Sequence, residues 1–341
     1  MLPTRRSLPV TDWPVADRTA WADALRDDDL IEAGPGAHLA ARSRATLAHA
    51  YGRWLAVMRM TDRDSLSLAP GARVTRERVK DYVLHLRADG VSERTIADHI
   101  DRLRRVCALI DPDVPLDWIR DAANNIRKGA PLPDKRDRLV PPAQMLALVD
   151  RLIASGLGTC PSAAQDLRDG LILGLLHHRA PRLGNLCAMT IDRHLRRTAS
   201  GGLLIAFAAA ETKGRRPLTF EVPDRLLPTF DHYLAQGRQR IYGSETHAGL
   251  WPSQMGRPMS RSAIQRMVAR RTLAAFGRAL HPHLFRTLAA STIVVEAPEQ
   301  IDMVPALLHH ADIRTADAHY IRADGVKASR TLGALIDTLR R

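Results

Sequence analysis

The sequence predicts a mainly α-helical protein with a small antiparallel β-sheet, built as a helical domain followed by an α+β domain. Three observations carry this expectation. Apolar residues recur at helical spacing from about His38 onward, two short apolar runs flank a polar turn near residue 213, and one stretch rich in Pro, Gly and charge separates the two regions. With 45% hydrophobic residues in 341, the chain has material for two cores. It holds no run of 18 apolar residues, and Met1 to Val10 lacks a continuous apolar stretch, so neither a membrane span nor a secretion signal is expected.

Taken in order, residues 1–37 are acidic and carry Pro and Gly, and are expected to form a partly disordered leader. The helical domain is expected over 38–130. Leu47, Tyr51, Trp54, Leu55 and Met58 mark its first helix, and Val79, Tyr82, Val83 and Leu86 its second. Ile96, Ile100, Leu103, Cys107 and Ile110 mark a third, with Ser92 as its N-cap. A shorter fourth holds Trp118, Ile119, Ala122 and Ile126. Residues 131–138 complete the linker that begins near Lys128.

The second domain, 139–341, is expected to hold helices near 142–155 and 163–177 and a short one from Arg182. Strands at 203–208 and 218–222 are joined by the turn Thr212-Lys-Gly-Arg-Arg-Pro217. Helices follow near 224–240, 260–279, 283–295, 299–309 and 313–321. A last one, 326–340, carries Leu332, Leu335, Ile336 and Leu339 on one stripe.

Charge narrows the partner. The net charge is +13, distributed as −3 over 1–37, +5 over 38–130 and +11 over 131–341, and arginine greatly outnumbers lysine. A basic body suits a polyanion, and the guanidinium fork matches phosphate oxygens in pairs. Arg94, Arg102, Arg104 and Arg105 lie off the apolar stripe of the third helix, a position that fits either contact with a DNA backbone or a solvated basic face. Cys107, Cys160 and Cys187, an odd and widely spaced set, fit reduced buried thiols in a cytoplasm better than a disulfide frame or a zinc site.

Individually, the polar residues of the second domain fit ordinary roles. Arg182 passes for a surface arginine, Lys213 for a solvated turn lysine, and Tyr320 for a half-buried helix aromatic. His281-Pro-His283 has no matching carboxylate or cysteine cluster, so no metal site is expected. Their order is more specific. Ala180-Pro-Arg-Leu-Gly-Asn-Leu186, a lysine between two strands at Lys213, His283-Leu-Phe-Arg286, Leu307-Leu-His-His310 and Tyr320 follow one another along the chain. In this the sequence resembles the tyrosine recombinase (phage integrase) family, over roughly residues 40 to 335. Leu250-Trp-Pro-Ser-Gln-Met-Gly-Arg-Pro-Met259 is similar to the segment that the family carries ahead of its second box.

The resemblance implies a fold and a chemistry. The fold would be a helical, SAM-like core-binding domain and an α+β catalytic domain that together clamp DNA in a C shape. Arg182, Lys213, His283, Arg286, His310 and Tyr320 would be the catalytic set, with Arg94, Arg102, Arg105 and Arg215 on DNA. Two guanidiniums would hold the non-bridging oxygens while the Tyr320 phenol attacks phosphorus, His283 would take the phenol proton, and Lys213 would protonate the leaving 5′-oxygen. Neither a metal nor another cofactor is called for. The partners would be double-stranded DNA at specific sites, three further copies in a tetramer linked by the helix 326–340, and an accessory directionality factor. The setting would be the bacterial cytoplasm and nucleoid.

Asn185 stands where the family's first box carries an acid, Thr287 where a histidine follows the second-box arginine, and His309 where a glycine precedes the third basic residue. His309 and His310 therefore compete for that position. Two other functions share the pattern: a DNA-binding protein of this fold without catalysis, and a type IB topoisomerase that relaxes one duplex.

Overall fold

The computed structural model describes residues 6–27, 32–130, 140–212 and 214–289. The chain divides into two compact units, Met1–Pro133 and Asp134–Arg341. Lys213, the linker residues 131–138, the helices expected beyond 290, His310, Tyr320 and the stripe at 326–340 lie outside the described residues.

The first unit contains α1 (Val15–Ala24), α2 (Ala41–Thr61), α3 (Arg76–Ala88), α4 (Glu93–Ile110) and α5 (Asp117–Gly129). The third predicted stripe is buried in α4. Ile96, Ile100, Leu103 and Cys107 are fully buried, and α4 packs against α1, α2, α3 and α5. Side chains of Thr75 and Ser92 accept backbone N–H bonds and open α3 and α4. The aromatic pairs Trp13–Tyr51 and Trp54–Tyr82 meet edge to face, with centroids 4.9 and 5.2 Å apart.

Residues 1–37, expected as a leader, contribute to this core. Leu8, Trp13 and Trp21 are buried in it, and α1 is anchored by a charge. The Asp17 carboxylate is fully buried and accepts from Arg73 Nη1 at 2.5 Å, from Arg73 Nη2 at 3.1 Å and from the Tyr51 hydroxyl at 2.5 Å. Arg73 spends its remaining donors on the carbonyls of Ser65, Leu66 and Leu68. Burial and the neighbouring thiol and carboxylate push the Tyr51 phenol well above its ordinary pKa, so it stays a hydroxyl donor.

In the second unit, α6 (Pro142–Gly156) packs along α7 (Ala163–Arg179). Gly156 is required there, since a Cβ would sit 2.5 Å from the Leu167 backbone. After α8 (Leu183–Ala188) and α9 (Ile191–His194) comes an antiparallel sheet in the order β1–β2–β3: Leu195–Arg197, Leu203–Phe207 and Leu218–Glu221. The sheet thus has a third strand beyond the two that the sequence predicts. Leu203, Ile205 and Phe207 alternate inward along β2 and join the core.

The helix expected near 224–240 is one continuous helical run with changing pitch. It opens as a 3-10 turn, includes α10 (Leu227–His232), widens to a π-turn over Tyr233–Gly237 and closes as 3-10. Arg238, at its end, donates to the carbonyls of His247 and Gly249. Then α11 (Arg261–Phe276) starts at the Ser260 cap and stops at Gly277, whose φ of 68° suits glycine. No described helix is long and apolar enough to cross a membrane.

A second buried ion network fastens α11 to α7. Asp169, fully buried, accepts from Arg168 through Oδ1 and from Arg271 Nε at 2.8 Å through Oδ2. Arg271 also reaches Asp166, and Arg168 Nη1 donates to the Pro252 carbonyl at 2.6 Å. Removing one partner of such a pair leaves a buried charge uncompensated. Replacing Arg73 by Met should therefore cost about 3–5 kcal/mol of stability in urea unfolding, and adding Asp17→Asn should restore part of it.

Candidate active site

The region of the first box is built by a helix that has to stop. Pro181 disfavours a right-handed helical conformation at Ala180, so α7 ends at Arg179. Ala180 takes φ 44° and ψ 45°, the left-handed region that alanine enters at a cost, and it is fully buried. The chain thereby turns, and Arg182 becomes the N-cap residue of α8, half-buried, with its carbonyl accepting the Leu186 N–H. Burial pushes His177, in the last turn of α7, down to about 4 and lowers His178 as well, so both rings are neutral near pH 7 and Arg179 is the cation there. Arg179 Nε donates to the Glu221 carbonyl at 2.9 Å, tying this corner to β3.

The second box arrives at the same corner. Arg286 is buried, and its Nη1 donates to the Ala180 carbonyl at 2.7 Å. Two sequence-predicted arginines are thus gathered around one turn: Arg182 lies two positions from the residue that anchors Arg286. His283 is exposed at the start of the following helical stretch, and its carbonyl accepts the Arg286 N–H at 3.2 Å. The His283 N–H donates to His281 Nδ1 at 3.2 Å, and the amide nitrogen of the Gln265 side chain lies 2.8 Å from His281 Nε2.

Two family positions that differ in this chain are also buried. Asn185 is 4% exposed and its Nδ2 finds no partner among the described residues, and Thr287 is 7% exposed. Arg261, the first residue of α11, leans over α8: a Cβ on Gly184 would come within 2.7 Å of its Nη2. Burial pushes the Cys187 thiol up to about 11 despite Arg261, so near neutrality α8 presents no competing thiolate.

Lys213 is outside the described residues, but its surroundings are not. The connection from β2 to β3 is longer than the predicted turn, because a 3-10 segment Ala209–Glu211 precedes it. Glu211 accepts the Ala208 N–H at 2.8 Å and meets His194 Nε2 and Arg193 Nη2, each at 3.1 Å. These contacts, the Ala208 N–H foremost, hold its carboxylate below the usual range. Thr212 Oγ1 closes the turn by donating to the Arg216 carbonyl at 2.7 Å, and Arg215, exposed, has φ 49°.

Among the other predicted DNA contacts, Arg102 lies 3.8 Å from Asp98, whereas Arg105 is exposed and Arg94 half-buried on the same solvent face of α4. That face is mixed in sign, since Asp98 and Asp101 share it, Asp98 also meeting Arg127 and Asp101 meeting Arg104.

Sequence reasoning missed Ala180, His194 and Glu211. No periodicity marks them, and the one local signal was Pro181, which stops α7. Because glycine takes left-handed φ freely, Ala180→Gly should raise stability by about 1 kcal/mol, read from the denaturation midpoint at unchanged m-value.

Comparison with known proteins agrees with this geometry. A model described as the phage integrase family matches residues 148–325, slightly more than half of the chain. The chain is 25% identical over 248 residues to tyrosine recombinase XerD of Halalkalibacterium halodurans, covering 72% of this chain and 77% of that one. It is 24% identical over 243 residues to tyrosine recombinase XerC of Pseudomonas fluorescens, covering 71% and 74%. In fold it is similar to the XerH site-specific recombinase bound to a palindromic difH substrate in a post-cleavage complex, with TM-score 0.59, 11% identity and coverage of 96% and 98%. On the matched family model and the architecture that surrounds it, this chain belongs to the phage integrase family.

Proposed function

We propose that the protein performs site-specific DNA recombination, cutting each strand through a 3′-phosphotyrosyl bond to Tyr320 and rejoining it to a second DNA. The observation that carries this reading is the Arg286 bond to the Ala180 carbonyl, which brings the second-box arginine to the turn that presents Arg182. Attack on a phosphodiester raises its charge from one towards two on a five-coordinate phosphorus. Arg182 and Arg286 supply fixed positive charge and hydrogen bonds to those oxygens. The Tyr320 hydroxyl oxygen forms the new P–O bond as the 5′-oxygen leaves. The phenol, ordinarily of pKa about 10, gives up its proton to His283, and Lys213 protonates the 5′-oxygen. His310 completes the pocket on a phosphate oxygen, and the ester keeps the bond energy, so a 5′-hydroxyl from a second duplex reverses the step.

The same reading assigns Arg94, Arg102, Arg105 and Arg215 to the DNA backbone, helix 326–340 to contacts between four protomers on paired sites, and a cytoplasmic, nucleoid-associated setting. With the guanidiniums supplying the charge, the reaction calls for no divalent ion. A mobile-element origin and an accessory directionality factor accompany this reading as expectations of the same class.

A duplex nicked near the cleavage point tests it directly. In EDTA, the protein should form a band of covalent protein–DNA complex on a denaturing gel, and Tyr320→Phe should abolish it. Arg286→Ala should slow its formation by roughly 100-fold or more, the usual cost of one lost transition-state donor. No band on a duplex that the protein demonstrably recognises would instead support a binder of the same fold. Recombinant products from two sites, rather than relaxed plasmid alone, would separate exchange from topoisomerase action.

A further inference from the structure

The connection from β2 to β3 rests on a polar link that the hairpin itself does not require. His194, the last residue of α9, is 2% exposed, and its ring lies on Phe207, the last residue of β2, with centroids 4.5 Å apart. The Thr190 backbone N–H points at His194 Nδ1 from 3.0 Å. A backbone amide can only donate, so Nδ1 accepts and the ring proton sits on Nε2, where it donates to Glu211 Oε1 at 3.1 Å. Glu211 Oε1 also meets Arg193 Nη2, and Oε2 accepts the Ala208 N–H at 2.8 Å. Both oxygens of the carboxylate are thereby engaged.

The far end of the link is fixed as well. The Ile191 N–H donates to the Ala248 carbonyl at 2.9 Å, and Thr190 pairs with Gly249 in an isolated antiparallel bridge. Glu211 is therefore tied through His194 to the chain at 248–249, beyond its own 3-10 segment. One residue on, Thr212 is 9% exposed, and its Oγ1 accepts the Arg216 N–H at 3.2 Å and donates to the Arg216 carbonyl. The two residues that precede Lys213 are thus both anchored. A cap on the 3-10 segment needs only the Ala208 bond, whereas burying an imidazole costs free energy that its two hydrogen bonds must offset. What the histidine adds is a fixed place for Glu211. A general acid must come within hydrogen-bond reach of the leaving oxygen, and a long, flexible lysine reaches one point reproducibly only from a fixed root. An unengaged carboxylate two residues away would instead compete for the ammonium.

We propose that His194 and Glu211 are positioning residues for the general-acid step: they fix the root of the turn from which Lys213 protonates the leaving 5′-oxygen. This rests on the reading of the chain as a recombinase with Lys213 as that acid. In the step, the Tyr320 oxygen bonds to phosphorus, the bond from phosphorus to the 5′-oxygen breaks, and the Lys213 proton passes to that oxygen. His194 and Glu211 act on it through the backbone at 211–212.

A nicked duplex whose bridging 5′-oxygen is replaced by sulfur isolates this step, because a thiolate is a far weaker base than an alkoxide and leaves without a proton. The rate of covalent adduct formation is compared on the oxygen and the sulfur duplex. Glu211→Gln keeps the shape of the side chain but turns an NH2 towards a donor. It should slow the reaction roughly tenfold on the oxygen duplex and leave the sulfur duplex at the wild-type rate. His194→Phe, which keeps an aromatic ring against Phe207, should show the same selective loss. Lys213→Ala should lose roughly 100-fold or more on oxygen alone, and adding Glu211→Gln to it should cost nothing further. If both positioning variants are slow on both duplexes, the pair supports the fold and not the acid, and the proposal is overturned. An unchanged rate on the oxygen duplex overturns it too. A Lys213→Ala defect that sulfur does not relieve removes the acid on which the proposal depends and overturns it with that assignment. A wild type that forms no adduct on either duplex overturns the recombinase chemistry itself.

Discussion

The hydrogen bond from Arg286 to the Ala180 carbonyl joins two stretches of chain 106 positions apart, and the proposed chemistry depends on it. A carbonyl fixes one nitrogen of the guanidinium without cancelling its charge, which a carboxylate would do. Arg73, Arg168 and Arg271 each meet buried aspartate and serve as crosslinks. The carbonyl reaches Arg286 because Ala180 leaves the helix in a left-handed conformation, and it leaves there because Pro181 follows. A local backbone constraint thus sets the position of a long-range charge.

Other elements hold that corner from behind. Asp169 links α7 to α11 through Arg271, and Arg168 extends the tie to Pro252. Since α7 ends at Arg179, just before Ala180, and α11 leads towards His281 and His283, this network ties together the two elements that lead to the first and second boxes. Burying two carboxylates among arginines adds little net stability compared with an apolar core; its visible effect is to hold α7 and α11 together, Arg271 meeting both Asp166 and Asp169. The Arg179 bond to β3 adds the sheet to the same frame.

Much of this was legible in the sequence, for physical reasons that differ by element. The stripe from Ile96 to Ile110 could be read because burial on one helical face imposes a period, and Ser92 because a cap needs a short hydroxyl side chain. α1 could not be read that way. What anchors it is Asp17, a charged residue whose partner Arg73 lies 56 positions away. β1 is too short, at three residues, to show alternation. The run from Asp224 to Arg240 looked like an ordinary helix because apolar spacing does not report a π-turn.

The candidate site was legible as an order of residue types, whereas the frame was not. Arg182, His283 and Arg286 stand out because phosphate chemistry needs cations and a base, and those types are distinctive. The groups that position them are backbone atoms and common residues: the Ala180 carbonyl, the Pro252 carbonyl, the Ala208 N–H on Glu211. Such groups have no signature, since every residue carries a carbonyl. The same reasoning explains Asn185, which replaces an acid yet remains buried beside this turn. A neutral amide there carries no charge to set against the arginines, and Arg286 is held by the Ala180 carbonyl. In the proposed site, charge comes from side chains that a sequence displays, whereas the turn at Ala180 that holds Arg286 is a backbone feature that a sequence only implies.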